Sequence, residues 1–182
     1  MQKAIGMVEF SSIARGIYAA DQMVKVSEVE IVTASTSCPG KYIAIVHGDV
    51  AAVKTSVETG EREAGDFYID SMVIPNVHAQ VFPAITGAAC TEGIDALGIM
   101  ESFSIAAMLE TADAILKAGD VDGVELRLGT GLGGKSFFTY TGDVAAVNAG
   151  TSAGKEIVDA KGLMVNFEVI PSPSPVLVGS LM

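Results

Sequence analysis

The period of apolar positions along this chain changes in a regular order. Ala4 to Phe10 reads as a strand, after which Ile13, Ile17, Ala20 and Val24 recur at helical spacing with Ser11 or Ser12 available as N-cap. Val29-Glu30-Ile31-Val32 alternates, a loop rich in Ser, Thr, Cys, Pro and Gly follows at 36–40, and Tyr42 to Val46 forms a second strand ending at Gly48-Asp49. These two strands predict a hairpin. Val50, Val53 and Val57 mark a second helix with Asp49 placed to cap it, Ser71 to Pro75 a last strand, and Val77 to Ile85 a short terminal helix. The predicted order is strand, helix, hairpin, helix, strand, helix: an α/β sandwich with its helices over one sheet.

The same order then begins again. Ala4-Ile5-Gly6-Met7-Val8-Glu9 overlays Ala96-Leu97-Gly98-Ile99-Met100-Glu101, and without a gap Ser12-Ile13-Ala14 falls on Ser104-Ile105-Ala106, Ala20-Asp21 on Ala112-Asp113, and Lys25 on Lys117. After a small insertion in the second copy, Gly40-Lys41 meets Gly134-Lys135. The run Gly48-Asp49-Val50-Ala51-Ala52-Val53 recurs unchanged from Gly142, and Val73-Ile74-Pro75 meets Val169-Ile170-Pro171. Two copies of one domain, 1–90 and 91–182, account for the length.

Composition narrows the function. Eleven Lys and Arg against 22 Asp and Glu leave a formal charge of −11, which argues against a binder of nucleic acid or of an anionic membrane. Hydrophobic residues are 49% and charged ones 18%, a balance that requires a packed protein and excludes a disordered one. Gly, Asp, Lys or Ser interrupts each apolar run before the ~18 residues a membrane helix needs, and no signal-peptide pattern precedes the first strand. The expected location is the cytoplasm. Two cysteines, Cys38 and Cys90, make no disulfide framework there.

Several residues invite a chemical reading. Gly129-Thr130-Gly131-Leu132-Gly133-Gly134-Lys135-Ser136 satisfies G-x-x-x-x-G-K-[ST] and, through Gly129, Gly131 and Gly134, also G-x-G-x-x-G. A phosphate loop needs a helix to start at its Lys-Ser. Here Phe137-Phe138-Thr139-Tyr140-Thr141 favours a strand, so nucleotide binding is the weakest of the three readings. Cys38 sits in Ser37-Cys38-Pro39-Gly40-Lys41, and the aligned second-copy residue is Leu132. One thiolate cannot hold a structural zinc or an iron-sulfur cluster, which need about four ligands, so a metal role requires thiolates from neighbouring chains. A bare thiol in a turn is the simpler alternative. His47 and His78 have no second ligand at metal spacing and read as surface or capping residues. Glu9 and Glu101 match by repeat, and a structural hydrogen-bonding role suits them better than acid-base work.

The repeated segments, Ala4 to Glu9, Ala20-Asp21 through Lys25, Gly40-Lys41 through Gly48-Asp49-Val50, and Val73-Ile74-Pro75 with His78, resemble the BMC domain, the shell-forming module of bacterial microcompartments. The copies are unpermuted, so the chain looks like the tandem-domain shell proteins. That resemblance implies a ferredoxin-like α/β fold, no enzymatic activity, and a homotrimer that forms a flat pseudohexamer and tiles with other BMC shell proteins. The Ser-Cys-Pro-Gly-Lys loop looks like that of the tandem-domain shell proteins of propanediol-utilisation compartments. The resemblance implies that three copies of Cys38 meet on the three-fold axis and hold a 4Fe-4S cluster, serving electron transfer across the shell, with a redox protein as partner. Ser37, Cys38, Pro39 and Gly40 would then alternate around a pore with Gly131, Leu132, Gly133 and Gly134. A metal-free pore for metabolites is the alternative. Lys25 and Lys117 fall where the family places an edge lysine for lattice contacts. The family's Arg after Val-Ile-Pro is missing: Asn76-Val77-His78 and Ser172-Pro173-Ser174 stand there, which implies weaker edges and a tile that needs other shell proteins.

Overall fold

The computed structural model describes residues 3–89, 93–161 and 163–181; Cys90 lies outside them. The chain divides into two compact units, one running to Val77 and including Gly129–Gly134, the other comprising His78–Leu128 and Lys135 onward.

The first unit contains β1 (Ala4–Phe10), α1 (Ile13–Val26), β2 (Val29–Ser37), β3 (Lys41–Gly48), α2 (Val50–Ala64), a single 3-10 turn (Gly65–Phe67) and β4 (Tyr68–Ile74). Its sheet has the order β2-β3-β1-β4 and is antiparallel throughout. β1 is central, which explains why all seven of its residues are buried and why its apolar run lacks clean alternation. Ser12 caps α1 by accepting a hydrogen bond from the Arg15 N–H at 3.3 Å.

The inward face of α1 differs from the expected stripe. Gly16, Ala19, Ala20 and Met23 are buried, whereas Ile13 and Ile17 are exposed, Ile17 by 53%. Tyr42 of β3 sets this choice: a Cβ at Gly16 would lie 2.7 Å from its Cβ and Cδ1. Only small residues let the helix settle there, so the branched side chains turn outward. On α2, Val53 and Val57 enter the core as expected. They press on Gly6, where an added Cβ would meet Val57 Cγ2 at 2.5 Å. Asp49 occupies the N-cap position of α2 but makes no side-chain capping bond; its counterpart Asp143 does, accepting from the Ala146 N–H at 2.7 Å.

The second unit repeats the plan with β5 (Ala96–Ser102), α4 (Ile105–Ala118), β6 (Asp122–Leu128), β7 (Ser136–Gly142), α5 (Val144–Lys161) and β8 (Met164–Ile170), in the order β6-β7-β5-β8. Corresponding residues keep corresponding partners: Ile5 pairs with His47 and Ile74, Leu97 with Thr141 and Ile170. Here the ring of Tyr140 lies across Gly98, whose added Cβ would come within 2.3 Å of Tyr140 Cε2. Burial pushes the Tyr140 phenol above its ordinary range, opposed by its hydrogen bond with Thr151 Oγ1 at 2.5 Å. A short helix, α3 (Val81–Thr86), also belongs to this unit and packs against β6. The final helix, α6, spans Pro175–Leu181.

Candidate functional site: two loops and their lysine anchors

β2 and β3 form the predicted hairpin, and its connection carries Cys38, Pro39 and Gly40. Pro39 and Gly40 are exposed, and Cys38 is a free, half-buried thiol. The Gly129–Gly134 loop, although it comes from the second copy, packs in the first unit against this hairpin end. The Cys38 N–H donates to the Gly129 carbonyl at 3.2 Å, and Thr130 Oγ1 donates to the Thr36 carbonyl at 3.2 Å. A Cβ at Gly134 would lie 3.5 Å from both Cys38 O and Pro39 Cδ. Ser37, Cys38, Pro39 and Gly40 are thereby brought beside Gly131, Leu132, Gly133 and Gly134. Gly131, Gly133 and Gly134 all have positive φ, at 74°, 62° and 90°, so their sequence is explained by backbone conformation.

The phosphate-loop pattern does not form a phosphate loop. Its Lys-Ser is followed by strand β7 rather than a helix, so no converging N–H groups or helix dipole are available. Lys135 Nζ is also committed elsewhere, to Glu101 Oε2 at 2.7 Å. This removes the nucleotide-binding reading.

The Lys135–Glu101 pair has an exact counterpart by repeat in Lys41 and Glu9, with Nζ 2.8 Å from Oε1. Each lysine starts or precedes the strand leaving its loop, and each glutamate lies on the central strand beside it. The pairs fasten both loops to their sheets. Their settings differ, because the Glu9 side chain is 5% exposed and that of Glu101 32%. The hydroxyls of Ser37 and Ser136, at the roots of the two loops, are buried and unpartnered among the described residues.

The remaining candidates lie elsewhere. His78 is a capping residue: its Nδ1 accepts from the Gln80 N–H at 3.4 Å and its carbonyl from the Val81 N–H at 3.1 Å. His47 Nε2 lies 3.6 Å from Glu30 Oε2. Lys25 and Lys117 each bridge one helical turn back, to Asp21 at 2.5 Å and Asp113 at 2.6 Å. Among the described residues, no group of three or more His, Cys, Asp or Glu within one chain is arranged to hold a metal. The structure adds two residues that the sequence reading passed over. Thr130 ties the loops together, and its only signal was a hydroxyl inside a glycine-rich stretch. Asp113 accepts the His78 N–H at 2.7 Å while also holding Lys117.

Comparison with known proteins gives this arrangement a family. The BMC domain model matches residues 4–77 and again 96–173. The bacterial microcompartment shell protein PduT of Citrobacter freundii is 42% identical over 173 residues, covering 95% of this chain and 94% of that protein. The shell protein PduA of the same organism is 39% identical over 83 residues, 44% of this chain but 88% of its own length, as expected where one copy matches a single-domain relative. A crystal structure of a microcompartment protein from Desulfitobacterium hafniense superposes with a TM-score of 0.93 at 48% identity, over 97% of this chain and 98% of that one. No described helix is long and apolar enough to cross a membrane. The chain therefore belongs to the tandem BMC-domain shell proteins of bacterial microcompartments, a structural class and not an enzyme class.

Proposed function

We propose that this shell protein assembles as a homotrimer, a pseudohexamer of six BMC domains, in which three copies of Cys38 meet at the axis and hold a 4Fe-4S cluster. The observation that carries the reading is the asymmetry of the paired loops. Both are anchored by a lysine-glutamate pair and lie side by side, but only one presents a sulfur, partly exposed and without a disulfide partner. A single such thiol per chain matches a shared site and not a site within one chain. The donor set suits iron-sulfur chemistry: three thiolates would bind three irons, leaving the fourth open to solvent or to a partner's ligand. The cluster would supply one-electron transfer through the shell.

The chain's own residues do the positioning. The bond from the Cys38 N–H to Gly129 O and the bond from Thr130 to Thr36 fix the turn. The glycines at 131, 133 and 134 keep the second loop free of side chains, apart from Leu132. Lys25 and Lys117, exposed on α1 and α4, are assigned to contacts with adjoining tiles.

Anaerobic purification, or reconstitution with ferrous iron and sulfide, tests the assignment. The expected product is a brown trimer with broad absorption near ~400 nm and about four irons per three chains, and Cys38→Ser loses both. A trimer that binds no iron after reconstitution favours the metal-free pore, and colour that survives Cys38→Ser refutes the ligand assignment.

A further inference from the structure

The two copies differ in what covers their outer surfaces, and the difference identifies a docking surface. In the second unit, the segment that follows the first copy's last strand lies on α4 and β6. The His78 N–H donates to Asp113 Oδ1, Gln80 Nε2 donates to Asp122 Oδ1 at 2.8 Å, and the Gly123 N–H donates to Gln80 Oε1 at 2.8 Å. Asp113 and Gly123 are buried.

Strand register transfers these positions to the other copy. Ile74 and Ile170 pair with the equivalent residues Ile5 and Leu97, so His78 corresponds to Ser174 and Gln80 to Val176. The gapless α1/α4 match makes Asp21 the counterpart of Asp113. In the sheets, Ile31 pairs with Val46 and Gly123 with Tyr140, so Ile31 is the counterpart of Gly123. This second receiving face stands open. Ile31 is 49% exposed and Ile17 53%, while Val176 on the unused tail is 85% exposed. Asp21 Oδ2 holds Lys25 just as Asp113 Oδ2 holds Lys117, but Asp21 Oδ1 accepts no hydrogen bond from any described residue.

We infer that the C-terminal segment around Ser174–Ser180 of one chain docks on the α1/β2 face of the next chain, with the Ser174 N–H on Asp21 and Val176 on Ile31. The paired replacements argue for this match. Where the covered contact is polar, Gln80 on Gly123, the open one is apolar on both sides, Val176 opposite Ile31. Each chain has one spare tail and one open face, a heterologous contact that repeats head to tail and closes into a ring. The inference rests on the trimer proposed above and specifies which segment closes it.

The test uses the full chain with Cys38→Ser and Cys90→Ser, carrying Ile31→Cys and Val176→Cys. Oxidation with copper-phenanthroline should give covalent dimers and trimers on a non-reducing gel, absent from either single-cysteine variant. Ile31→Asp in the otherwise natural chain buries an unpaired charge and should weaken association at least ~100-fold. Val176→Lys added to it should recover about tenfold or more. An intact trimer by light scattering that yields no interchain link, or only an intrachain one, overturns the docking while leaving the trimer standing. A monomer at every concentration overturns both.

Discussion

Replacing Lys41 by Met removes the charge that faces Glu9. The Glu9 side chain is 5% exposed, its bond to Lys41 is 2.8 Å, and no other described residue donates to it. Breaking a buried pair from one side costs roughly 3–5 kcal/mol, because the remaining carboxylate is left desolvated. Lys41 is itself 23% exposed, so water can reach the vacated position and the low end applies, about 3 kcal/mol. The repeat supplies an internal control. Lys135→Met leaves Glu101 with a side chain 32% exposed, where water solvates it readily, and the expected loss is about 1 kcal/mol or less. The two variants should therefore differ by about 2 kcal/mol, roughly a 30-fold difference in the folding equilibrium. Urea unfolding at one fixed protein concentration reads this as a shift in midpoint at constant slope. Adding Glu9→Gln to Lys41→Met should recover most of the loss, since the uncompensated charge is gone. Equal losses from the two lysine variants, or no recovery in the double variant, would refute the reasoning. Because Lys41 anchors the Cys38 loop, Lys41→Met should also lower iron bound per trimer in the reconstitution assay, which Lys135→Met should affect less.

Gly98→Ala places a methyl group within 2.3 Å of the Tyr140 ring, and the shift this forces should cost about 1–3 kcal/mol in thermal or urea unfolding. The raised Tyr140 phenol predicts alkaline sensitivity with a definite sign. The folded state keeps its proton above the ordinary 10.0 while the unfolded chain releases it, so this contribution is complete below about pH 10 and is lost as pH rises further. Tyr140→Phe should give up about 1 kcal/mol at neutral pH with its hydrogen bond to Thr151, yet flatten the alkaline decline measured by urea midpoints from pH 8 to 11.

Element types were legible because the signals were local. β1 and β5 announce themselves by apolar runs, α1 and α4 by serine caps, and the hairpin by its Pro-Gly turn. The duplication was legible because Gly6 and Gly98 each answer a steric demand, although from different neighbours, Val57 in one unit and Tyr140 in the other. The inward face of α1 was not legible. Spacing counts Ile13 and Ile17 as core, but the space beneath the helix is already filled by Tyr42, a fact of packing that no period reports. Asp49 was placed at its cap position by sequence alone, while the capping bond depends on side-chain geometry and forms only at Asp143. The glycine-rich loop misleads for a related reason. Its glycines answer a need for positive φ next to Cys38, and that need produces the same spacing as a phosphate cradle.

A gene duplication frees two equivalent positions to diverge, and the divergence here is confined to surfaces that meet something outside the repeated core. The strand register and central glycines are kept in both copies, since every unit must form the same sheet. Cys38 and Leu132 differ, as do Gln80 and Val176, and Gly123 and Ile31. A hexamer of identical domains would place six thiols around an axis, too many for one cluster with about four cysteine positions. Alternating a cysteine loop with a glycine loop reduces the number to three. The same alternation lets the contact within a chain be polar while the contact between chains is apolar, so a tail suited to one face is poorly suited to the other. Divergence of the tails and divergence of the loops are then two parts of one requirement: the copies must alternate around the ring, because any other order would bring the wrong number of sulfurs to its centre.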